Sequence, residues 1–268
     1  PLECVVVFIA PSRRVKAMRR AVRYLFVVAA ITTMAAAGSG SPATGTVPVP
    51  HPLPAVASIF PSGGEVVGVG APVAVTFTAP VIDRRAAERS IRIGSPGNMT
   101  GHYKWLDGNV VQWVPDQYWP AHSHISVGVQ ALTEGFETGD ALLGVASISS
   151  HTFTVSRNGE ILRTMPASLG KPSRPTPVGN FSALSKERSV VMDSRTIGIP
   201  LNSSDGYLIT AQYAVRVTGS GVYVHSAPWS VNSQGYANVS HGCINLSPDN
   251  AAWYFNMVSI GDPINVVY

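Results

Sequence analysis

Short runs in which apolar and polar residues alternate recur along this chain, and each is cut off by glycine, proline or an Asx turn before it reaches helical length. Val73-Ala74-Val75-Thr76-Phe77-Thr78, Ser90-Ile91-Arg92-Ile93, His102-Tyr103-Lys104-Trp105, Val110-Val111-Gln112-Trp113-Val114 and His124-Ile125-Ser126-Val127-Gly128-Val129 follow one another, with Asp107-Gly108 and Pro115-Asp116 between them. A period of two puts successive side chains on opposite faces of a strand, so such runs bury one face by packing sheet on sheet. Several short strands with turn signals at spacings of about 8–15 residues indicate a sandwich. Residues 55–139 therefore read as an immunoglobulin-like module built without a disulfide. His122 and His124, two apart, would share a strand face; without Cys or carboxylate at ligand spacing they read as surface histidines rather than a metal site.

Beyond Asp140 the pattern continues. Thr152–Ser156 and Glu160–Met165 flank Asn158-Gly159, the dipeptide of a type I′ hairpin. Further strands are predicted at Ser189–Met192, Val215–Val217, Val222–His225 and Pro263–Val267. One helix is predicted, capped by Ser247, with Pro248 in its first turn, running through Ala252, Trp253 and Phe255 behind Cys243. Gly198 to Ser204, followed by Asp205-Gly206, forms a long loop suited to a lid. Residues 140–268 thus read as a second β-rich domain, and the chain as mostly β.

The length of 268 residues accommodates two domains, and 13% charged against 45% hydrophobic residues excludes a disordered chain or a coiled coil. A net charge of +4 invites a nucleic-acid reading, but residues 1–51 carry +5, from Arg13, Arg14, Lys16, Arg19, Arg20 and Arg23 against Glu3. The rest sums to −1, which argues against nucleic acid as a partner. Met18-Arg19-Arg20 reads as the natural start. The basic segment ending at Arg23, the uncharged apolar stretch of 14 residues from Tyr24 to Ala37, and Gly38, Ser39, Gly40 and Ser41 have the layout of a secretory signal. Fourteen residues fall short of the ~20 a spanning helix requires, which favours cleavage over anchoring. Residues 1–41 are read as this leader or anchor, with membrane contact only if it stays uncleaved, and 42–54 as a proline-rich spacer.

Cys4 lies in the leader, so Cys243 is the one thiol of the exported body. Its surroundings, Ser240-His241-Gly242-Cys243-Ile244-Asn245, are the densest polar grouping of the chain, and His225 precedes Ser240 by 14 intervening residues. A thiol is a weak nucleophile at its free pKa of ~8.5 and gains from an imidazole that takes its proton. Gly242 frees the backbone to turn, so that amides near Cys243 can face a developing oxyanion. No Asp or Glu lies between Asp205 and Asp249, which leaves a backbone carbonyl near Ser226 to orient His225. Competing readings are a buried structural thiol, and a zinc site of His225, His241 and Cys243 that lacks a fourth ligand. His241 is better read as shaping the loop, and Tyr207 and Trp229 could equally be core aromatics. Ser168-Leu169-Gly170-Lys171 fits the Ser-x-x-Lys pattern of penicillin-binding proteins, yet neither Lys-Thr-Gly nor Ser-Asp-Asn occurs. A sortase would need an Arg after the Cys, and no Arg follows Arg216; papain-like enzymes place Cys before His.

These residues resemble the L,D-transpeptidases with a YkuD-type catalytic domain. That family's signature is a His, a spacer of this length, then Ser/Thr-His-Gly-Cys-x-Asn, matched here at His225 and from Ser240 to Asn245. Gly170-Lys171-Pro172, Pro175-Thr176-Pro177 and Gly179 also resemble the family's proline-rich approach to its catalytic sheet. With one immunoglobulin-like module and the leader, the chain is similar to the short mycobacterial type. The resemblance implies that Cys243 attacks the diaminopimelate carbonyl of a peptidoglycan tetrapeptide stem and releases D-Ala. A diaminopimelate amine of a second stem then resolves the thioester into a 3→3 cross-link. It further implies catalytic roles for Cys243, His225, Ser226, His241 and Gly242. Tyr207, Ser220, Gly221, Ser240 and Asn245 become substrate contacts and Trp229 a wall of the site, with carbapenem acylation at Cys243 and neither cofactor nor metal. Longer members place a Tyr in the lid where this chain has Ile197. Two alternatives stand beside this reading: a cell-wall-binding module without turnover, and an L,D-carboxypeptidase.

Overall fold

The structure is a computed structural model that describes residues 52–268; the leader and residues 42–51 of the spacer lie outside the described residues. Its first half holds β1 (Val56–Phe60), β2 (Val66–Val67), β3 (Val73–Phe77), the helix α1 (Arg84–Ser90), β4 (Ile91–Gly94), β5 (Gly101–Trp105), β6 (Val110–Pro115), β7 (His124–Val129) and β8 (Leu132–Thr138). The strands form two sheets, ordered β1-β3-β6-β5 and β2-β8-β7-β4. The alternation works as the sequence suggested: Val73, Val75, Phe77, Val111 and Trp113 point inward from one sheet, Ile125, Val127 and Val129 from the other. Buried Trp119 stacks on Trp113 at 5.3 Å between centroids, and its indole N–H donates to the Ala71 carbonyl at 2.7 Å. The segment before β4 departs from expectation. Asp83 accepts a hydrogen bond from the Ala86 amide at 2.9 Å and caps α1, so Ser90 ends a helix instead of opening a strand.

The second half holds β9 (Leu142–Ser147), β10 (Thr152–Arg157), β11 (Glu160–Pro166), β12 (Gly179–Ser182), β13 (Ser185–Asp193), β14 (Leu208–Arg216), β15 (Tyr223–Ser226), β16 (Ile244–Leu246), α2 (Pro248–Met257) and β17 (Pro263–Val267). One sheet runs β11-β10-β9-β17-β12, the other β13-β14-β15-β16. Their shared core includes Phe153, Met165, Leu169, Val224, Ile244 and Leu246, with Tyr254 of α2 set edge-on to Phe153 at 4.8 Å. Asn158 and Gly159 both have positive φ, 51° and 89°, as a type I′ turn requires. Ser247 caps α2, its Oγ accepting from the Asn250 amide at 3.4 Å, and α2 packs on β14 and β15.

His122 and His124 do not share a strand: His122, at φ 52°, precedes β7. Each exposed ring faces a carboxylate supplied by distant sequence, His122 Nε2 at 3.0 Å from Asp140 and His124 Nδ1 at 2.7 Å from Glu137. The sandwich also meets the second pair of sheets through main chain. The Gly68 amide donates to the Ile260 carbonyl at 2.8 Å and the Gly70 amide to that of Gly261 at 2.9 Å. Ser182 Oγ donates to the Gly70 carbonyl and Tyr118 Oη to Asn265 Oδ1, both at 2.9 Å. A side chain at Gly68 would collide with Asp262.

Candidate active site

β15 and β16 are parallel neighbours, with Val224 opposite Ile244 and His225 opposite Asn245. Alternation along both sends Val224, Ile244 and Leu246 into the core. His225 and Asn245 therefore share the other face, and Cys243, just before β16, falls beside Tyr223 on that same face. All three line one cavity of about 290 Å³. The parallel pairing converts a gap of 18 positions in sequence into adjacency.

His225 is buried, and its Nδ1 lies 2.8 Å from the Ser226 carbonyl. With a proton on Nδ1 donating to that oxygen, Nε2 is the free acceptor. Burial pulls the imidazole pKa down to about 4, and the carbonyl contact only partly offsets it. Burial likewise pushes the Cys243 thiol up to about 11, against a lowering from the Tyr223 amide. Both groups are thus neutral at rest, and the thiol points at the Gly221 carbonyl, 3.9 Å away.

The loop before Cys243 is held from two sides. Ser240 Oγ donates to the Cys243 carbonyl at 2.7 Å and accepts from the Gly242 amide at 3.1 Å. Ser240 thus engages the Gly242 amide and bridges the turn that leads into Cys243. Thr176, buried and absent from the sequence candidates, donates to the Gly242 carbonyl at 2.9 Å and accepts from the Gly170 amide at 2.8 Å. Gly242 sits at φ 123°, which excludes a side chain there.

Tyr207, Trp229, Ser240 and His241 also line the cavity, together with Met192, Ile209, Ser230, Ser233 and Val239, which sequence reasoning did not single out. Met192 and Ile209 pair across β13 and β14, and an alternating strand pattern gives no sign of which face meets a ligand. The Trp229 ring is 5.9 Å from that of His225 and half exposed; the Tyr207 ring is 5.0 Å from His241. His241 Nε2 lies 3.3 Å from Lys171 Nζ, which pairs with Asp205 at 2.7 Å. Burial, then Lys171, holds the His241 pKa below its ordinary value. Asn245 is buried and donates to Ser230 Oγ at 3.1 Å. Ser220 stands outside the cavity, its hydroxyl 2.9 Å from Thr218 Oγ1. Ser168 is fully buried and donates to the Ala237 carbonyl at 2.7 Å, while Lys171 turns to Asp205, so the Ser-x-x-Lys pair is not assembled. A larger open cleft of about 880 Å³, lined by His102, Lys104, Tyr118, Asn180 and Phe181, contains none of the candidate catalytic residues, so size does not locate the site.

Residues 143–266 match the family described as the L,D-transpeptidase catalytic domain, and residues 28–136 match the bacterial Ig domain. L,D-transpeptidase 1 of Mycobacterium tuberculosis is 76% identical over 250 residues, covering 93% of this chain and 100% of that protein. The chain belongs to the L,D-transpeptidases. Among solved structures, the LD transpeptidase LdtMt1 in complex with imipenem superposes with a TM-score of 0.79 at 79% identity, over 81% of this chain and 100% of that one. An L,D-transpeptidase from Mycobacterium smegmatis reaches a TM-score of 0.77 at 62% identity, over 81% and 99%. As an L,D-transpeptidase with a bacterial Ig domain, the chain is a mostly β enzyme of acyl transfer, in agreement with the fold and family that the sequence indicated.

Proposed function

We propose that this L,D-transpeptidase cross-links peptidoglycan stems through a thioester on Cys243. The observation that carries the reading is the neutral Cys243–His225 pair on one face of β15 and β16, inside a cavity otherwise walled by neutral side chains. As sulfur attacks the diaminopimelate carbonyl of a tetrapeptide, the thiol proton passes to His225 Nε2, and the Ser226 carbonyl supports the imidazolium through Nδ1–H. Collapse of the tetrahedral intermediate breaks the bond to D-Ala, whose amine takes the proton from His225. The diaminopimelate amine of a second stem then attacks the thioester and gives its proton to His225, which returns it to the departing sulfur. Tyr207, Trp229 and His241 shape the pocket around the peptide. Residues 55–139 act as a spacing module and 140–268 as the catalytic domain, exported to the cell envelope by the leader.

Imipenem tests the nucleophile without a natural substrate. Incubation should add one imipenem mass to the protein, mapped by peptide analysis to Cys243, and the adduct should be lost in Cys243→Ala. His225→Ala should slow acylation by about 100-fold or more. An adduct on Ser168, or undiminished acylation of Cys243→Ala, would overturn the assignment.

A further inference from the structure

The cavity has no cation in its walls: Tyr207, Trp229, the serines and Asn245 are uncharged, and both histidines have pKa values below their ordinary range. On the reading above, its substrate is a peptide with several carboxylates. Two cations lie on the turn Lys171–Arg174 beside the lining residue His241, with Lys171 Nζ 3.3 Å from His241 Nε2 and the turn closed by the Arg174 amide donating to the Lys171 carbonyl at 2.8 Å. That turn is tied to the nucleophile loop. The Lys171 amide donates to the Ser240 carbonyl at 2.9 Å, Thr176 holds the Gly242 carbonyl, and the Pro175 carbonyl lies 3.9 Å from where a Gly242 side chain would begin.

The two cations differ in what they already hold. Lys171 is committed to Asp205 and is three-quarters buried. Arg174 is exposed, and among the described residues it makes no ion pair and no side-chain hydrogen bond. Its charge acts on Tyr207 and His241, which line the cavity, and on Asp205, the partner of Lys171.

We propose that Arg174 is a specificity-determining residue that receives a carboxylate of the stem peptide at the lid-side mouth of the cavity. A guanidinium presents a planar fork of N–H donors that matches a carboxylate, and its mount on a turn fixed to the Cys243 loop sets the register between the gripped carboxylate and the attacked carbonyl. The inference rests on the transpeptidase reading. Two carboxylates of a tetrapeptide are candidates, that of the terminal D-Ala and the free one of diaminopimelate.

The test compares wild type with Arg174→Gln on three synthetic tetrapeptide stems: unmodified, amidated at D-Ala, and amidated at diaminopimelate. Release of the terminal residue is the readout, as D-Ala from two of the stems and as D-alaninamide from the stem amidated there. The neutral reagent iodoacetamide reports separately on Cys243. Arg174→Gln should raise KM for the unmodified stem roughly fivefold with little change in kcat, and leave the alkylation rate unchanged. Wild type should show a similar KM penalty on one amidated stem, and the variant should no longer distinguish that stem from the unmodified one, which identifies the gripped carboxylate. Arg174→Lys should recover part of the loss. Equal KM values for variant and wild type on the unmodified stem, or an equal rise on all three stems, would overturn the proposal. If wild type alkylates normally but releases the terminal residue from no stem, the transpeptidase reading fails first and this one with it.

Discussion

At Cys243 and His225 the protein keeps both proposed reacting groups uncharged, and this has a kinetic signature. With His225 depressed to about 4, the imidazole is a competent proton acceptor at any pH above about 5; with the thiol raised to about 11, the thiolate is scarce up to about pH 9. The rate of imipenem acylation should therefore be level between about pH 5 and 9 and fall below about pH 4, followed by stopped-flow fluorescence. A rate that climbs tenfold per pH unit across that range would instead mean attack by a pre-formed thiolate. The same shift affects stability. The unfolded chain takes up the His225 proton between about pH 6.5 and 4 while the folded one does not, so this residue favours unfolding as pH drops through that window. The proposed nucleophile and its neighbours were legible as one grouping because Ser240 to Asn245 is contiguous. Thr176 was not, because its partner Gly242 is 66 positions away and nothing local marks the contact.

Strands and loops place these residues, and the lid is more tightly fixed than its composition suggests. Ser194, fully buried in the 3-10 turn after β13, accepts from the Tyr207 amide at 3.0 Å and donates to the Ile199 carbonyl at 2.9 Å. Its own amide donates to the Tyr207 carbonyl at 2.9 Å. Ser194→Ala leaves the Tyr207 amide and Ile199 carbonyl short of a partner, at about 1–3 kcal/mol. A lowered Tm by calorimetry, a raised KM for the stem and faster iodoacetamide alkylation of Cys243 are expected together; an unchanged KM would show that Tyr207 is held by other means. Element legibility followed physical cause. α2 was read correctly because Ser247 and Pro248 are local signals, whereas β9, with Gly144 and Ala146 in its run, and the first half of β13, with Lys186, Glu187 and Arg188 ahead of the predicted Ser189–Met192, lack the alternation that marks a strand. β16 escaped notice because only pairing with β15 makes three residues a strand.

At the scale of the molecule, charge and junction make different demands. Basic and acidic residues net −3 from Glu65 to Asp140 and +2 beyond it, which favours the second domain as the one that handles anionic stems. The amides of Gly68 and Gly70, bonded to Ile260 and Gly261, join the module to that domain through main chain. A chain beginning at Asp140 should still be acylated by imipenem, with a lower Tm because the loop at Ile260 to Asp262 loses its partners. A folded chain of that length that failed to acylate would make the module part of the active site. Sequence delimited two β-rich regions but gave no sign of this junction, since a glycine placed for close approach looks like any turn glycine until its neighbour is known. Mass analysis of muropeptides after incubation with the purified protein asks directly whether a cysteine enzyme joins stems at diaminopimelate. A 3→3 dimer with one free D-Ala per cross-link is expected, both absent with Cys243→Ala. Neither product from wild-type protein that still alkylates at Cys243, or the same products from the alanine variant, would contradict it.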